Sequence, residues 1–578
     1  MRPRITAILL PLSVLVAFSV LGVMRGSFSS VFGDEGTYLA MAQSVSRDGD
    51  LMFDTADRER LERAAGAGRQ TVILQQTGKG ISYSKPILYP LLVAPFHRLL
   101  GDLGLVLFNA LAMGAALALA WGVLRRQASS EEAWLTLWTF FGAGVLPAYL
   151  VWKMPDLFQV ALATAGLSLA LATVRGAPLT TPDLIDRLLA NRWAPVVGGG
   201  LLGLLAALRY PNLLIALAPI AALAISRRRH SMVLVAAGCL AAFVLVALCG
   251  WVLVGTINPY KETRASFNAE TGYPLSAEDP GVMEQFESRR ATQSVTFRPE
   301  LQPDVSAYST GYFFVGRHTG LIFYFPAALV LVLAALRRPD RVGLTLVAGA
   351  AAVAVFYLIW MPRNYFGGAT FIGNRYFLAA YPLLLFASGR PLRGRSLIAT
   401  WSLGILVVVS SIVSVAETRE RDPGSQSHAY AGLFRLLPYE STALRIEGWR
   451  DRYWSGDLLR FVDPFAQVTE EAFVLRAGDR PAEILLASRR QGPLMRLEVR
   501  ANTDEAVLEV TDRRGQRTYP LPRDGTVAVE TAPSWRHHRF WWDADRTYSS
   551  RTLRLAVSTP DGEPATVRFS YSGLRPAP

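Results

Sequence analysis

Leu103-Gly104-Leu105-Val106-Leu107-Phe108-Asn109-Ala110-Leu111-Ala112-Met113-Gly114-Ala115-Ala116-Leu117-Ala118-Leu119-Ala120-Trp121-Gly122-Val123-Leu124 carries no charged side chain. As a helix rising about 1.5 Å per residue it covers about 33 Å, enough for a hydrocarbon core of about 30 Å. Ten further apolar segments flank it: Ile5–Met24, Ala133–Val151, Leu157–Val174, Ala194–Leu208, Leu213–Ile225, Met232–Val254, Gly320–Leu336, Val342–Trp360, Gly373–Ser388 and Leu397–Val415. With 51% apolar and 18% charged residues, the chain reads as a polytopic α-helical membrane protein. Ile5–Met24 is longer than the about 7–15 residues of a signal-peptide core and has no small-residue cleavage site behind it, so a retained helix is expected.

A net charge of +13 would suggest nucleic acid in a soluble protein. Here the basic residues cluster between apolar runs, which is a topology signal. Ile87–Leu100 is apolar but short and carries Pro90, Pro95, His97 and Arg98. If it does not span, Arg2/Arg4, Arg125/Arg126, Arg175/Arg187/Arg192, Arg227/Arg228/Arg229, Arg337/Arg338/Arg341 and Arg390/Arg393/Arg395 all fall on one side, the cytoplasmic one. The expectation is therefore about eleven transmembrane helices, with Ile87–Leu100 lying at the outer interface. The outer face then carries loops 25–102, 255–317 and 361–372 and everything after about Glu417. Cys239 and Cys249 share one apolar segment and read as core residues, with neither disulfide nor metal spacing.

The expected division is a membrane domain over 1–416, a linker over 417–438 and a β-rich domain over 439–578. The last rests on alternating runs such as Ala472–Leu475, Leu494–Val499, Ala506–Val510 and Thr566–Tyr571, separated by turn signals at Arg523-Asp524-Gly525 and Pro560-Asp561-Gly562. An extracytoplasmic antiparallel β-sandwich fits that pattern. No internal repeat or low-complexity tract is present.

The chemistry points to Gly33-Asp34-Glu35-Gly36-Thr37-Tyr38, ten residues past the first apolar segment. The plain reading makes Asp34 the N-cap of a helix over Glu35–Ser46, with Glu35 favoured by the helix dipole. A cap needs one small polar residue, however, and this is a carboxylate pair at a membrane boundary. Outer helix ends should also be poor in Lys and Arg, yet Lys85, Lys153, Arg209, Arg317 and Arg375 all lie there, with Asp156 beside Lys153. A charge at mid-membrane costs about 2.5–3.5 kcal/mol on insertion scales, so such residues need partners. Each alone can snorkel to the headgroups. Together they make a basic rim beside a carboxylate, suited to a lipid phosphate or diphosphate. No two histidines have ligand spacing, and His318 reads as structural.

In order along the chain, Asp34-Glu35-Gly36-Thr37-Tyr38, Tyr83-Ser84-Lys85-Pro86 leading into Leu88-Tyr89-Pro90, Met154-Pro155-Asp156-Leu157-Phe158, and Gly367-Gly368-Ala369-Thr370-Phe371-Ile372-Gly373-Asn374-Arg375-Tyr376-Phe377 resemble the polytopic glycosyltransferases of the GT-C fold. These include dolichyl-phosphate-mannose–protein mannosyltransferases and bacterial lipid A aminoarabinose transferases. The resemblance covers about Ile5–Val415. It implies an integral protein of the bacterial inner membrane that moves a sugar from a polyprenyl-phosphate donor to an acceptor hydroxyl at the outer face, with inversion. It further implies Asp34 as general base and Glu35 as a supporting or acceptor-contacting residue. Asp156 would meet the acceptor or a divalent metal cation, and Lys85, Arg209, Arg317 and Arg375 would meet the lipid phosphate.

The inserted lumenal modules of the protein mannosyltransferases are missing, which favours a glycolipid or cell-envelope glycan as acceptor. Trp535, Trp541 and Trp542 are candidates for a sugar-stacking platform. Two other classes compete. A lipid-phosphate flippase or transporter predicts charged pathways deep in the bundle and paired broken helices. A non-catalytic envelope scaffold leaves Asp34–Glu35 and the outer cations without a role.

Overall fold

Leu103–Leu124 forms one helix in the computed structural model, with the bounds of the apolar run. The structure describes residues 13, 34–64, 71–175, 183–260, 264–268, 272–274, 303–316, 318–362, 364–367, 372–417, 437, 451–454, 457–463, 467–468, 472–479, 481–488, 494–512, 514–530, 535–536, 549–562 and 565–576. Ile5–Met24 falls outside them except for Ser13. The chain divides into two compact units, Met1–Leu301 with Phe313–Val315 and Thr319–His428, and Gln302–Tyr312 with Gly316–His318 and Ala429–Pro578.

In the first unit the apolar segments are helical, but several are broken. Among the described residues, three helices are long and apolar enough to cross a membrane: Leu103–Leu124, Arg229–Val254 and Arg341–Trp360. A fourth arises if Leu184–Ala190 and Ala194–Leu208, bent by 86°, count as one span. The described residues thus do not show the expected count of about eleven, and breaks at glycine and proline account for part of the difference. Ala133–Val151 becomes the helix Ser130–Gly142 followed by the 3-10 turn Leu146–Val151, and Gly320–Leu336 splits at Phe325 into Leu321–Tyr324 and Pro326–Arg337. The two breaks satisfy each other. The Val145 N–H donates to the Tyr324 carbonyl at 3.0 Å, and a Cβ on Gly144 would lie 2.8 Å from that same oxygen. Irregular backbone at membrane depth requires such internal pairing.

Arg229–Val254 shows what a lipid-facing helix looks like. Val233, Leu240, Leu245, Leu248, Trp251 and Val252 are all more than half exposed, an apolar stripe that water would not tolerate without cover. Its inner face meets Ala194–Leu208 through small residues, and a Cβ on Gly203 would stand 2.2 Å from the Cys239 carbonyl. Close backbone approach of this kind is the usual basis of helix association in membranes. Cys239 is accordingly a packed core residue, and both cysteines are free.

Loops 25–102 and 255–317, expected on the outer face, hold structure that periodicity did not predict. Val72–Thr77 and Gly80–Tyr83 form an antiparallel hairpin, Leu74 opposite Tyr83, and Arg264–Phe267 adds to its other edge, Leu74 opposite Ala265. A strand from loop 255–317 is thereby tied to loop 25–102 immediately before Lys85. The Ile73 N–H donates to Thr37 Oγ1 at 3.0 Å, fixing the sheet to the helix Glu35–Arg47.

In the second unit the alternating runs form two antiparallel sheets. One has the order Gly515–Pro520, Val507–Asp512, Ser549–Ser558, Ala482–Ser488, Asp457–Asp463, Asp451–Trp454, with Trp535–Arg536 also pairing to Ser549–Ser558. The other runs Asp524–Glu530, Leu494–Ala501, Thr566–Pro576, Ala472–Arg476, Gln467–Val468. Alternate residues of both, among them Phe473, Ile484, Val499, Leu508, Leu555 and Phe569, share one apolar cluster. Of the two turn signals, Pro560-Asp561-Gly562 does turn, with Gly562 at φ +69°. Asp524 and Gly525 instead sit in a strand opposite Arg500 and Val499, because pairing with Leu494–Ala501 extends that far.

Candidate active site

Asp34 occupies the N-cap position of Glu35–Arg47 but makes no side-chain cap bond. Its carboxylate is used elsewhere. Oδ1 lies 2.8 Å from Lys85 Nζ, and Oδ2 lies 2.8 Å from Arg375 Nη2. The same guanidinium continues to Asp156, with Nε 2.9 Å from Oδ1, and Arg209 reaches that Oδ1 at 3.5 Å. Five residues named from the sequence thus converge: Asp34, Lys85, Asp156, Arg209 and Arg375. Arg317 lies outside the described residues.

Each is placed by a local device. Lys85 follows the hairpin, and Ser84 Oγ donates to the Pro259 carbonyl at 2.7 Å while accepting from Arg264 Nε. Asp156 opens the helix Asp156–Leu171, where the helix dipole favours an anion. The turn before it is held at three points. Asn109 Nδ2 donates to the Trp152 and Met154 carbonyls at 3.2 and 3.0 Å, and the Lys153 N–H donates to Glu35 Oε1 at 2.6 Å. Arg209 has extended backbone between two helices, and its guanidinium lies 4.5 Å over the Tyr376 ring. The Arg375 N–H donates to the Phe366 carbonyl at 3.0 Å. Nearby, Gly367 has φ +91° and a Cβ there would meet the Tyr376 ring at 2.8 Å.

Glu35 is buried and pins the turn that carries Asp156. Lys153, counted among the outer cations, is fully buried and pairs its Nζ with Asp102 at 2.9 Å. Of the three tryptophans, Trp541 and Trp542 lie outside the described residues, and Trp535 pairs with Ser550 in a short strand. Arg264, stacked 5.1 Å over Tyr260, was missed. Its signal was available, since it is one more arginine in an outer loop.

Burial alone would raise the Asp34 carboxyl, but Lys85 and Arg375 outweigh it and hold it well below the usual carboxylate range. Burial pulls the Lys85 ammonium below its ordinary value, with Asp34 opposing that shift. Three cations against two carboxylates leave the cluster with a net positive charge, so it is built to accept an anion. One oxygen of Asp156, Oδ2, is buried with no hydrogen-bond partner among the described residues. Among those residues no three His, Cys, Asp or Glu side chains gather as a metal site. The Arg375 guanidinium stands between Asp34 and Asp156, where a cation shared by the two carboxylates would have to sit, so these side chains as arranged do not fit a divalent metal.

Lys85 also lines a small open cleft with Phe243, Val246, Ala247, Gly250 and Val254 of the helix Arg229–Val254, and with Ile257 and Pro259. The positive cluster thus borders a largely apolar cleft.

No protein-family model matches the chain, and no curated protein matches it. Among solved structures it is similar to ArnT from Cupriavidus metallidurans bound to undecaprenyl phosphate, at 14% identity and TM-score 0.39, over 73% of this chain and 74% of that one. It is similar to the apo oligosaccharyltransferase of Archaeoglobus fulgidus at 14% identity and TM-score 0.40, over 75% of this chain but only 57% of that one. The arabinosyltransferase EmbB from Mycobacterium smegmatis aligns at 12% identity and TM-score 0.32, over 97% of this chain and 64% of that one. The second and third are by name an oligosaccharyltransferase and an arabinosyltransferase.

Proposed function

We propose that the chain is a membrane glycosyltransferase that moves a sugar from a polyprenyl-phosphate donor to a hydroxyl of a cell-envelope glycolipid or glycan, at the outer face and with inversion. The observation that carries this reading is that Lys85 joins a net-positive, carboxylate-bearing cluster to the largely apolar cleft it also lines. A ligand matching both halves has an anionic head and a long apolar tail, which describes a polyprenyl phosphate. A flippase would want the same headgroup site but has no need of a carboxylate within it.

Sidedness is supported by the two ends of one helix. Asp102, before Leu103–Leu124, pairs with Lys153 near the site, whereas Arg125, just past its far end, pairs with Asp183 and Asp186. Arg175 likewise lies beyond the end of the helix that Asp156 opens, and pairs with Asp340. Arg125 and Arg175, from two of the basic clusters expected inside, thus lie past the far ends of helices whose near ends carry Asp102 and Asp156.

Phosphate is already a good leaving group, so the protein must deprotonate the acceptor and receive charge on the phosphate. Asp34 Oδ1 is the base, a role typically worth about 10²–10⁴-fold. Lys85 and Arg209 receive the phosphate charge, Arg209 being the more weakly engaged of Asp156's two arginines, and Arg375 orients both carboxylates. The β-rich region is proposed to bind the acceptor glycan. The test is release of polyprenyl phosphate from a polyprenyl-phosphate sugar by purified protein. Release by wild type and none by Asp34→Asn is expected; undiminished release by the variant would remove Asp34 from the chemistry.

A further inference from the structure

Both oxygens of Asp34 are occupied, each by a cation at 2.8 Å. A carboxylate held by two charge-assisted hydrogen bonds is a poor proton acceptor, since both bonds favour the ionised form. As it stands, the proposed base is capped.

The two caps differ in how firmly they are held. Arg375 is anchored apart from Asp34, through Asp156 at 2.9 Å and the Gly367 carbonyl at 3.4 Å. Among the described residues, Lys85 pairs with no carboxylate other than Asp34, and its ammonium lies 5.9 Å from the centre of the Tyr38 ring. It also lines the largely apolar cleft. Lys85 is therefore the cap that can leave, and it faces the place from which a lipid phosphate would arrive. Removing it leaves Asp34 facing Arg375 and the phenols of Tyr38 and Tyr260.

We propose that Lys85 is a latch shared between Asp34 and the donor phosphate, so that Asp34 becomes a usable base only after the donor is bound. This rests on the polyprenyl-phosphate reading and adds an obligatory order to it. The donor phosphate draws Lys85 from Asp34 Oδ1. The acceptor hydroxyl then gives its proton to Oδ1 as its oxygen bonds to the anomeric carbon. The bond from that carbon to the phosphate oxygen breaks, its electron pair stays on the phosphate, and Lys85 meets the new charge there. When polyprenyl phosphate leaves, Lys85 returns to Asp34 and the proton passes to water. No acceptor is activated in the donor-free enzyme.

The test uses full-length protein in nanodiscs, with undecaprenyl phosphate as probe and its binding measured separately. A water-soluble carbodiimide, which reacts with protonated carboxyls, is applied at a fixed acidic pH, and modification at Asp34 is read by peptide mass spectrometry. Bound undecaprenyl phosphate is expected to raise Asp34 labelling roughly tenfold, the effect of a one-unit rise in proton affinity. Lys85→Gln should label as strongly without lipid and gain nothing more from it. The wild-type comparison stands even if that variant does not fold. Unchanged or lower labelling with lipid demonstrably bound would overturn the latch and leave the functional reading in place. No binding of undecaprenyl phosphate would overturn both.

Discussion

Arg375 and Asp34 are 341 positions apart in the chain and 2.8 Å apart in space, joined from Nη2 to Oδ2. The bond closes a clamp, because the same guanidinium holds Asp156. Asp156 is almost completely buried, and its charge is tolerable only while it is paired.

Replacing Arg375 with alanine should therefore destabilise the membrane unit as well as silence it. Breaking a buried pair costs about 3–5 kcal/mol, and here one removal affects two carboxylates. Arg375→Lys should recover little, since an ammonium cannot present the planar set of donors that spans both acids. Thermal unfolding in detergent checks this, and a wild-type midpoint for Arg375→Lys would argue against the clamp.

Glu35 tests whether both members of the acidic pair are chemical. The structure gives it the Lys153 N–H at 2.6 Å, a bond an amide oxygen can also accept. Glu35→Gln should keep most of the activity and stability. Glu35→Ala should lose about 1–3 kcal/mol, the cost of a buried donor left unpaired. Near-complete loss of transfer in Glu35→Gln with an intact melting curve would instead put the Glu35 charge in the reaction.

The cleft makes a prediction for donor affinity. Ala247 lines the cleft together with Lys85, on a helix whose other face is already exposed, so Ala247→Trp should fill the cleft without disturbing the core. Donor KM is expected to rise roughly tenfold with kcat little changed, the signature of lost uniform binding. Steady-state kinetics at varied donor concentration would show it, and an unchanged KM would place the lipid tail elsewhere.

Asp102 gives a pH signature outside the site. Burial pushes its carboxyl up, but His97 and Lys153 more than offset this and bring it down to about 2. A depressed folded value contributes stability above the unfolded value of about 4, which is lost as pH falls from there towards about 2. The group is about a third exposed and screened by solvent, so the effect is small. Asp102→Asn should flatten the acid side of the melting-temperature profile, and a profile parallel to wild type would exclude this pairing as a source of acid sensitivity.

How much of this was readable beforehand divides along the range of the interactions. Apolar runs and basic clusters are local properties, and Leu103–Leu124 emerges with unchanged bounds. The misplaced charges were equally readable, because an arginine such as Arg209 at an outer helix end is anomalous wherever its partner lies. The partners were not. Asp156 meets Arg375 across 219 positions, and no periodicity encodes that pairing. The outer sheet escaped notice because Arg264–Phe267 is four residues long and gains its strand character from Val72–Thr77. The partner of Lys153 is hidden in the same way, since Asp102 lies in a loop with no motif of its own. The helix breaks at Gly144 and Phe325 were hidden for a similar reason, since each is stabilised by the other.

If Asp34 takes the acceptor's proton during transfer from a polyprenyl-phosphate sugar, purified wild type releases polyprenyl phosphate. Asp34→Asn that still binds undecaprenyl phosphate releases it at least about 100-fold more slowly. Release at the wild-type rate by Asp34→Asn would contradict that role for Asp34.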